Sequence, residues 1–309
     1  MASRQLVTVV GATGAQGGSV VRSLIETGKY KIRGLTRDAN SKKAQALKQL
    51  NNNIEMVACD ISKSSDVKRA FKDSWAIYAL TDFWAQPDKP QAEIEQGTIM
   101  ADAAASLKIP YYIFSTLEDV NKISGGKLDV PHFSQKAKIR DYIREKHPNL
   151  KAIFVEPAMY MQNWQSFGKL PRLEDGTVIF PGPMNKSTKL NLVDIEDTGS
   201  VIREILKNPE KYVGQDICIC GEEIKFEDVA KTFTKVTGIP SVVKSLTEEE
   251  FRQAQSFLPK HIQDDIFNMH KWFEQYGYYG KTKDWTTGKK LAKLNTFEQW
   301  MKKSGWKGE

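Results

Sequence analysis

Three residues near the middle of the chain have the types and spacing of a proton-transfer site. His132 and Lys136, in the stretch "DVPHFSQKAKIRDYI", lie four positions apart and would share one face of a helix. Ser115 closes an upstream β-rich run, "YYIFS". A developing oxyanion needs a proton donor nearby. An imidazole titrates near neutrality and can supply the proton. A hydroxyl can orient a substrate, and an ammonium can hold a ligand's hydroxyl groups. The ammonium beside the ring would also disfavour the ring's charged form. Each residue has two open roles. His132 is an acid or a polar lining residue, Ser115 orients a substrate or caps its strand, and Lys136 serves chemistry or only clamps a ligand.

The elements that must position these residues alternate. "QLVTVV", "YKIRGLT", "IEMVAC", "WAIYAL", "YYIFS" and "KAIFV" are short β-rich runs. Between them lie helical stretches, among them "GSVVRSLIETG", "AQALKQL" and the alanine-rich "QAEIEQGTIMADAAASLK", whose small residues suit close packing on a sheet. Short links between strand and helix imply right-handed crossovers. The expected fold is α/β, a Rossmann-type doubly wound parallel sheet with a smaller C-terminal α/β lobe. The pattern changes near Glu156, which suggests a dinucleotide-binding domain over residues 1–155 and a smaller substrate or partner lobe over 156–309. Some strands and helices of the second part should return to the first. The lobe would lie against the C-terminal ends of the strands, where ligands bind in such sheets.

The first strand runs into "GATGAQGG", with Gly11, Gly14 and Gly17 in GxxGxxG spacing before a helix. Gly11 suits a tight turn, Gly14 a close backbone approach to a pyrophosphate, and Gly17 close packing of helix on strand. Thr13, Ala15 and Gln16 line the same turn, and the helix N-terminus offers N–H groups to phosphate. The second strand ends in Thr36 and Arg37 rather than in an acid. A small residue leaves room for a 2′-phosphate and a guanidinium pairs with it, so NADP(H) is the expected cofactor, with Lys42 or Lys43 adding charge. Asp38 would serve a ribose or cap the next helix. Asp60 and Ile61, after the third strand, suit the adenine edge and face, or equally an N-cap and a core position. Leu80 and Thr81 end the fourth strand beside the cofactor's expected path. Pro157, Ala158, Tyr160 and Asn163 follow the sixth, where the nicotinamide would lie. Phe83 and Trp84 would shelter that ring or pack as loop aromatics.

Composition narrows the remaining classes. Hydrophobic content of 40% and charged content of 27% suit a soluble globular protein of 309 residues. No apolar run approaches a membrane span, and "MASRQLVTVVGATG" has no secretory signature, so a cytoplasmic setting, with the nucleus open, is expected. Cys59, Cys218 and Cys220 are an odd set. Buried structural thiols are the expected reading, with a redox pair of Cys218 and Cys220 the alternative, and no cysteine or histidine spacing supports a metal site. His147 suits a helix terminus, and His261 and His270 the surface or an interface. The net charge of +7 is spread along the chain and comes with no nucleic-acid motif.

Several stretches together resemble the NmrA-like family, an atypical branch of the extended short-chain dehydrogenases/reductases. They are "VVGATGAQGGSVVRSL", "LTRD", "TDFW", "HFSQK", "EPAMYMQNW" and "NPEKYVGQDI", which span most of the chain. The resemblance implies a Rossmann domain with a small C-terminal lobe and NADP-type binding. Gly11, Gly14, Gly17, Arg37, Lys136 and the segment from Pro157 to Tyr160 would contact cofactor. The tyrosine that short-chain enzymes place four residues before the lysine is His132 here, and a redox-sensing member of the family has the same His-Phe and lysine. Family members include redox sensors and regulators of transcription factors, while related isoflavone-reductase-like enzymes keep a catalytic lysine without the tyrosine. Two functions follow. One is an NADP(H)-binding redox-sensing or regulatory protein with a degenerate reductase site. The other is an NADPH-dependent reductase of a small carbonyl, enone or quinone using Lys136 or His132 as acid. The expected partners are a regulatory protein or a small-molecule substrate, neither nucleic acid nor membrane, and the chain would be a monomer or homodimer.

Overall fold

The computed structural model describes residues 4–166 and 168–309. Along the chain the elements run β1 (Gln5–Val9), α1 (Ala15–Ile25), β2 (Tyr30–Thr36), α2 (Lys42–Leu50), β3 (Ile54–Ala58), α3 (Ser64–Phe71), β4 (Ala76–Ala79), α4 (Pro90–Ser106), β5 (Tyr111–Ser115), α5 (Val120–Ile123), α6 (Pro131–Lys146) and β6 (Ala152–Pro157). They continue as β7 (Met159–Tyr160), α7 (Asn163–Ser166), β8 (Val178–Gly182), β9 (Lys189–Val193), α8 (Ile195–Lys207), β10 (Asp216–Ile219), β11 (Glu222–Lys225), α9 (Phe226–Thr237), β12 (Ser241–Ser245), α10 (Glu248–Ala254), α11 (Lys260–Tyr276) and α12 (Phe297–Ser304). No helix among the described residues is long and apolar enough to cross a membrane.

The central sheet has seven strands in the order β10-β6-β5-β4-β1-β2-β3. From β6 to β3 every pairing is parallel. Val7 lies opposite Ile32 on one side and Ala76 on the other. The order reverses at β1, with β2 and β3 on one flank and β4 to β6 on the other, and ligands bind in the crevice of such a reversal. Strands β4 and β6 are buried along their whole length, as a sheet covered on both faces requires. The predicted doubly wound fold is therefore the one observed.

Two compact units share the chain. The first takes the chain up to Asp119, Gln135–Glu156 and Ile195–Ile217. Its core joins Phe71, Ile77, Phe114, Ile139 and Phe154. Each such side chain contributes about 1.5–3 kcal/mol on burial. On α4 the buried stripe runs Glu93, Gly97, Met100, Ala101 and Ala104. A Cβ on Gly97 would fall 2.5 Å from Ile139 Cδ1, so the small residues set how closely α4 approaches α6. Helix α8 returns to the same unit and packs on α1, where a Cβ on Gly199 would meet Ser19 O at 2.1 Å. An Arg22–Glu196 ion pair at 2.5 Å borders that contact.

The second unit takes Val120–Ser134, Pro157–Asp194 and Cys218–Glu309. It holds a three-stranded sheet, β11-β9-β7, and a two-stranded one, β12-β8. Trp164, Phe180, Phe233, Phe297, Trp300 and Trp306 form a chain of ring contacts through it. Asp194, fully buried, accepts from Gln162 Nε2 at 2.6 Å, Asn295 Nδ2 at 3.1 Å and Lys303 Nζ at 3.0 Å. The last two of these bonds each span more than a hundred positions. Cys59 in the first unit and Cys218 and Cys220 are all buried. Burial pushes the Cys59 thiol up to about 11 and that of Cys220 up to about 12. Only the thiolate is a good nucleophile, so both are chemically quiet near neutral pH.

Candidate functional site

Gly11 adopts φ +63°, a left-handed conformation that glycine enters without penalty. Gly14 is the N-cap of α1. A Cβ on Gly17 would fall 2.4 Å from Gly11 O, so only glycine lets α1 start this close to β1. The first turn of α1 has no acidic residue and no side chain caps it. Its N–H groups and dipole are therefore presented to an anion. Two side-chain bonds tie this turn to the strand ends. Thr13 Oγ1 lies 3.3 Å from Thr36 Oγ1, and Gln16 Nε2 donates to Ser115 Oγ at 3.1 Å. The structure thus gathers Thr13, Gln16, Thr36 and Ser115 at one edge of the sheet, with Gly14 and Ala15 exposed beside them.

Next to this turn a cavity of about 380 Å³ is lined by Arg37, Ala58, Cys59, Asp60, Asp66 and Arg69. Arg37 is exposed, and among the described residues no ion pair holds it. The acids on the wall are already engaged. Asp66 pairs with Arg69 at 3.2 Å. Asp60 accepts from the Ser62 hydroxyl at 2.6 Å and its N–H at 3.0 Å and lies 3.4 Å from Lys63. The Ser62 bonds hold the Asp60 carboxyl below its usual range. Ile61 packs on the core. Lys42, exposed, opens α2, but its cap is Ser41, which accepts from Ala44 N. Asp38 instead accepts from Asn40 N at 2.8 Å, which corrects its expected role as the helix cap: the turn between them brings Ser41 to the first free N–H groups. Arg69 was not marked by the sequence, because nothing in a short amphipathic helix distinguishes one exposed arginine from another.

Lys136, in the second turn of α6, has all three ammonium protons engaged. It donates to Thr81 O at 2.9 Å, to Thr81 Oγ1 at 3.1 Å and to Glu93 Oε1. Thr81 Oγ1 in turn donates to Glu93 Oε1 at 2.7 Å. The Glu93 side chain is only 2% exposed, and its second oxygen, Oε2, has no hydrogen-bond partner among the described residues. Leu80, just before Thr81, lies 3.2 Å from where a Cβ on Gly11 would stand. Glu93 escaped the sequence reading, although an acid on the buried stripe 93, 97, 100, 101, 104 is the signal that marks it.

In the second unit, His132 Nδ1 lies 2.6 Å from Asp265 Oδ1, and both side chains are buried. The ring's bonded neighbour is thus a carboxylate, where the sequence pointed to the Lys136 ammonium. Asp265 lies on α11, a helix the sequence pattern left unassigned, in the buried set Ile262, Asp265, Trp272 and Phe273. Pro157 ends β6, and its carbonyl accepts from Tyr278 Oη at 2.9 Å. Ala158 N donates to Ile219 O, Tyr160 pairs with Val193, and Asn163 opens α7. Phe83, in a turn capped by Asp82, is buried while Trp84 is exposed. Of the other histidines, His147 follows α6 and meets Asp102 at 2.7 Å. His270 is half-buried: it packs against Phe251 and Phe273, and desolvation lowers its pKa to about 4. No group of three or more potential metal ligands occurs among the described residues.

Comparison with known proteins agrees with this architecture. The model of the "NmrA-like family" matches residues 3–301. An NmrA-like family domain-containing protein of Dictyostelium discoideum is 29% identical over 97% of this chain and 98% of its own length. The NmrA-like family domain-containing oxidoreductase FrzB of Cladobotryum sp. is 30% identical over 75% of this chain and 74% of its own. Among solved structures, NmrA, a negative transcriptional regulator in complex with NADP, superposes with a TM-score of 0.82 at 20% identity, covering 97% of this chain and 95% of that one. The NADPH-dependent quinone oxidoreductase QOR2 of Escherichia coli, in complex with NADPH, gives 0.77 at 16%, covering 97% and 100%. The two structures share the fold, and the family match extends over almost the whole sequence: the chain belongs to the NmrA-like family.

Proposed function

We propose that this protein binds NADP(H) and acts as a regulator, offering a partner protein a different surface according to the redox state of the bound dinucleotide. The glycine turn fits the group: Gly17 lets α1 start close against β1, Gly14 is exposed at its N-cap, and the bare N-terminus of α1 suits a pyrophosphate. Arg37 would pair with the 2′-phosphate, Thr36 leaves it room, and Asp60 and Ile61 would flank the adenine. The names of two related structures, NmrA with NADP and QOR2 with NADPH, support the same ligand. When bound, the nicotinamide supplies a hydride donor or acceptor. All three thiols are buried, and those of Cys59 and Cys220 have raised pKa values, which makes these two poor candidates for sensing and favours the dinucleotide as the redox element.

One observation carries the regulatory half of this reading. Lys136 spends its three protons on Thr81 and Glu93, and position 132 has no phenol for it to activate. A ligand then acts by binding two conformations unequally. A second reading, an NADPH-dependent reductase of a small carbonyl, enone or quinone, is favoured by Asp265. A carboxylate on Nδ1 fixes the orientation of the imidazole, as a positioned general acid requires. Several relatives are also named oxidoreductases.

NADPH oxidation with a panel of aldehydes, enones and quinones separates the two. The regulatory reading predicts rates no faster than buffer, together with cofactor-dependent hydrogen-exchange protection of residues 82–90. Steady turnover that falls about a hundredfold in His132→Ala, the range for loss of a general acid, would establish the reductase instead.

A further inference from the structure

We propose that Glu93 sets the balance between the protein's affinities for the oxidised and the reduced dinucleotide. The inference rests on the NADP(H) reading above. The sheet's strand order divides the crevice into two mononucleotide halves at β1. The glycine turn, Arg37 and Asp60 belong to the β1–β3 half, so the adenosine falls there. The nicotinamide half then falls at the ends of β4 and β5, which Thr81 and Ser115 mark. Lys136 Nζ stands on this edge, 2.9 Å from Thr81 O.

The two redox forms differ there by one charge, because the oxidised ring is cationic and the reduced ring neutral. Groups that bond ribose or phosphate treat both forms alike, whereas a fixed charge near the ring does not. Left alone, the Lys136 ammonium would repel the oxidised form. Glu93 cancels it, since its carboxylate bonds the ammonium directly and is buried. Screening by solvent is weak at such a site, so the cancellation is felt by a ligand nearby. The carboxylate is also held at a cost. Oε2 is buried with no hydrogen-bond partner among the described residues, and a buried polar atom of this kind calls for an explanation beyond packing. Fixing the charge of this edge near zero supplies one.

The test is the ratio Kd(NADP+)/Kd(NADPH), measured by titration at constant pH and ionic strength. Glu93→Gln keeps the shape and removes the charge, and should raise the ratio roughly tenfold, the effect of one unopposed unit charge on another across a partly buried site. Lys136→Gln leaves Glu93 unopposed and should lower it. Glu93→Gln combined with Lys136→Gln should restore the wild-type ratio. A merely structural role would move both constants together and leave the ratio unchanged in any of these that folds, and that result, or a shift of opposite sign, overturns the proposal. If the wild-type protein binds neither form, the NADP(H) reading itself has failed and takes this inference with it.

Discussion

Asp265 Oδ1 stands 2.6 Å from His132 Nδ1, joining the first turn of α6 to the second turn of α11 inside the second unit. Both partners are buried, and Asp265 Oδ2 has no other hydrogen-bond partner among the described residues. Removing the ring strands a carboxylate away from water. His132→Ala should therefore cost about 3 kcal/mol of stability, whereas its NADPH affinity stays near that of the wild type. Urea unfolding beside a cofactor titration measures both. A stable His132→Ala protein that has lost cofactor would show the ring to be a ligand contact rather than half of a structural pair.

Lys136 and Glu93 make the corresponding prediction for the first unit. Breaking a buried ion pair costs more than replacing it, because the remaining charge is uncompensated. Lys136→Met alone should destabilise by about 3–5 kcal/mol. Adding Glu93→Leu should recover most of that loss. A double-mutant cycle by chemical denaturation gives the coupling, and additive losses would mean that the two groups do not interact in solution.

The pH dependence of stability has an identified source in His270. Burial lowers its pKa to about 4, against about 6.5 in an unfolded chain. Between those values the unfolded state holds a proton that the folded state does not. Stability should thus fall as pH drops from about 6.5 to 4, by an amount on the order of 2–3 kcal/mol from this residue. His270→Phe keeps a ring against Phe251 and Phe273 and should flatten this limb of the pH–stability curve. An unchanged slope would place the proton uptake elsewhere.

Much of this was legible in the sequence, and the rest was hidden for physical reasons. The parallel sheet follows from local alternation, and the glycine turn from three residues with separate steric duties. Its side-chain ties, Thr13 to Thr36 and Gln16 to Ser115, link residues 23 and 99 positions apart and leave no local trace. The partners of the two central residues were invisible for the same reason: Glu93 is 43 positions from Lys136, and Asp265 is 133 from His132. Each does sit on the buried face of its helix, so a charged residue on an apolar stripe was the available sign. Helix α11 was missed because its run "KHIQDDIFNMHKWFEQY" interleaves polar residues with the buried ones. The return of α8 to the first unit depends on Gly199, whose missing side chain matters only against Ser19.

Gly14 offers a test of the phosphate cradle. It is exposed at the start of α1 with φ −84°, which any residue can adopt. Gly14→Val should leave the fold intact, at a cost of about 1 kcal/mol. Its side chain would occupy the space needed by a pyrophosphate, and calorimetry should find dinucleotide binding abolished. Unimpaired binding in the folded variant would move the phosphate site elsewhere.

Arg37 provides the most direct measurement of the central claim, that the glycine turn and the end of β2 bind a 2′-phosphorylated dinucleotide. NADPH and NADH are titrated separately into the wild-type protein and into Arg37→Ala. The wild type should bind NADPH more tightly than NADH. Arg37→Ala should weaken NADPH by about 1.5–3 kcal/mol, the worth of a hydrogen bond to a charged partner, and leave NADH nearly unchanged. Equal losses for both cofactors, or no preference for NADPH in the wild type, would contradict the account.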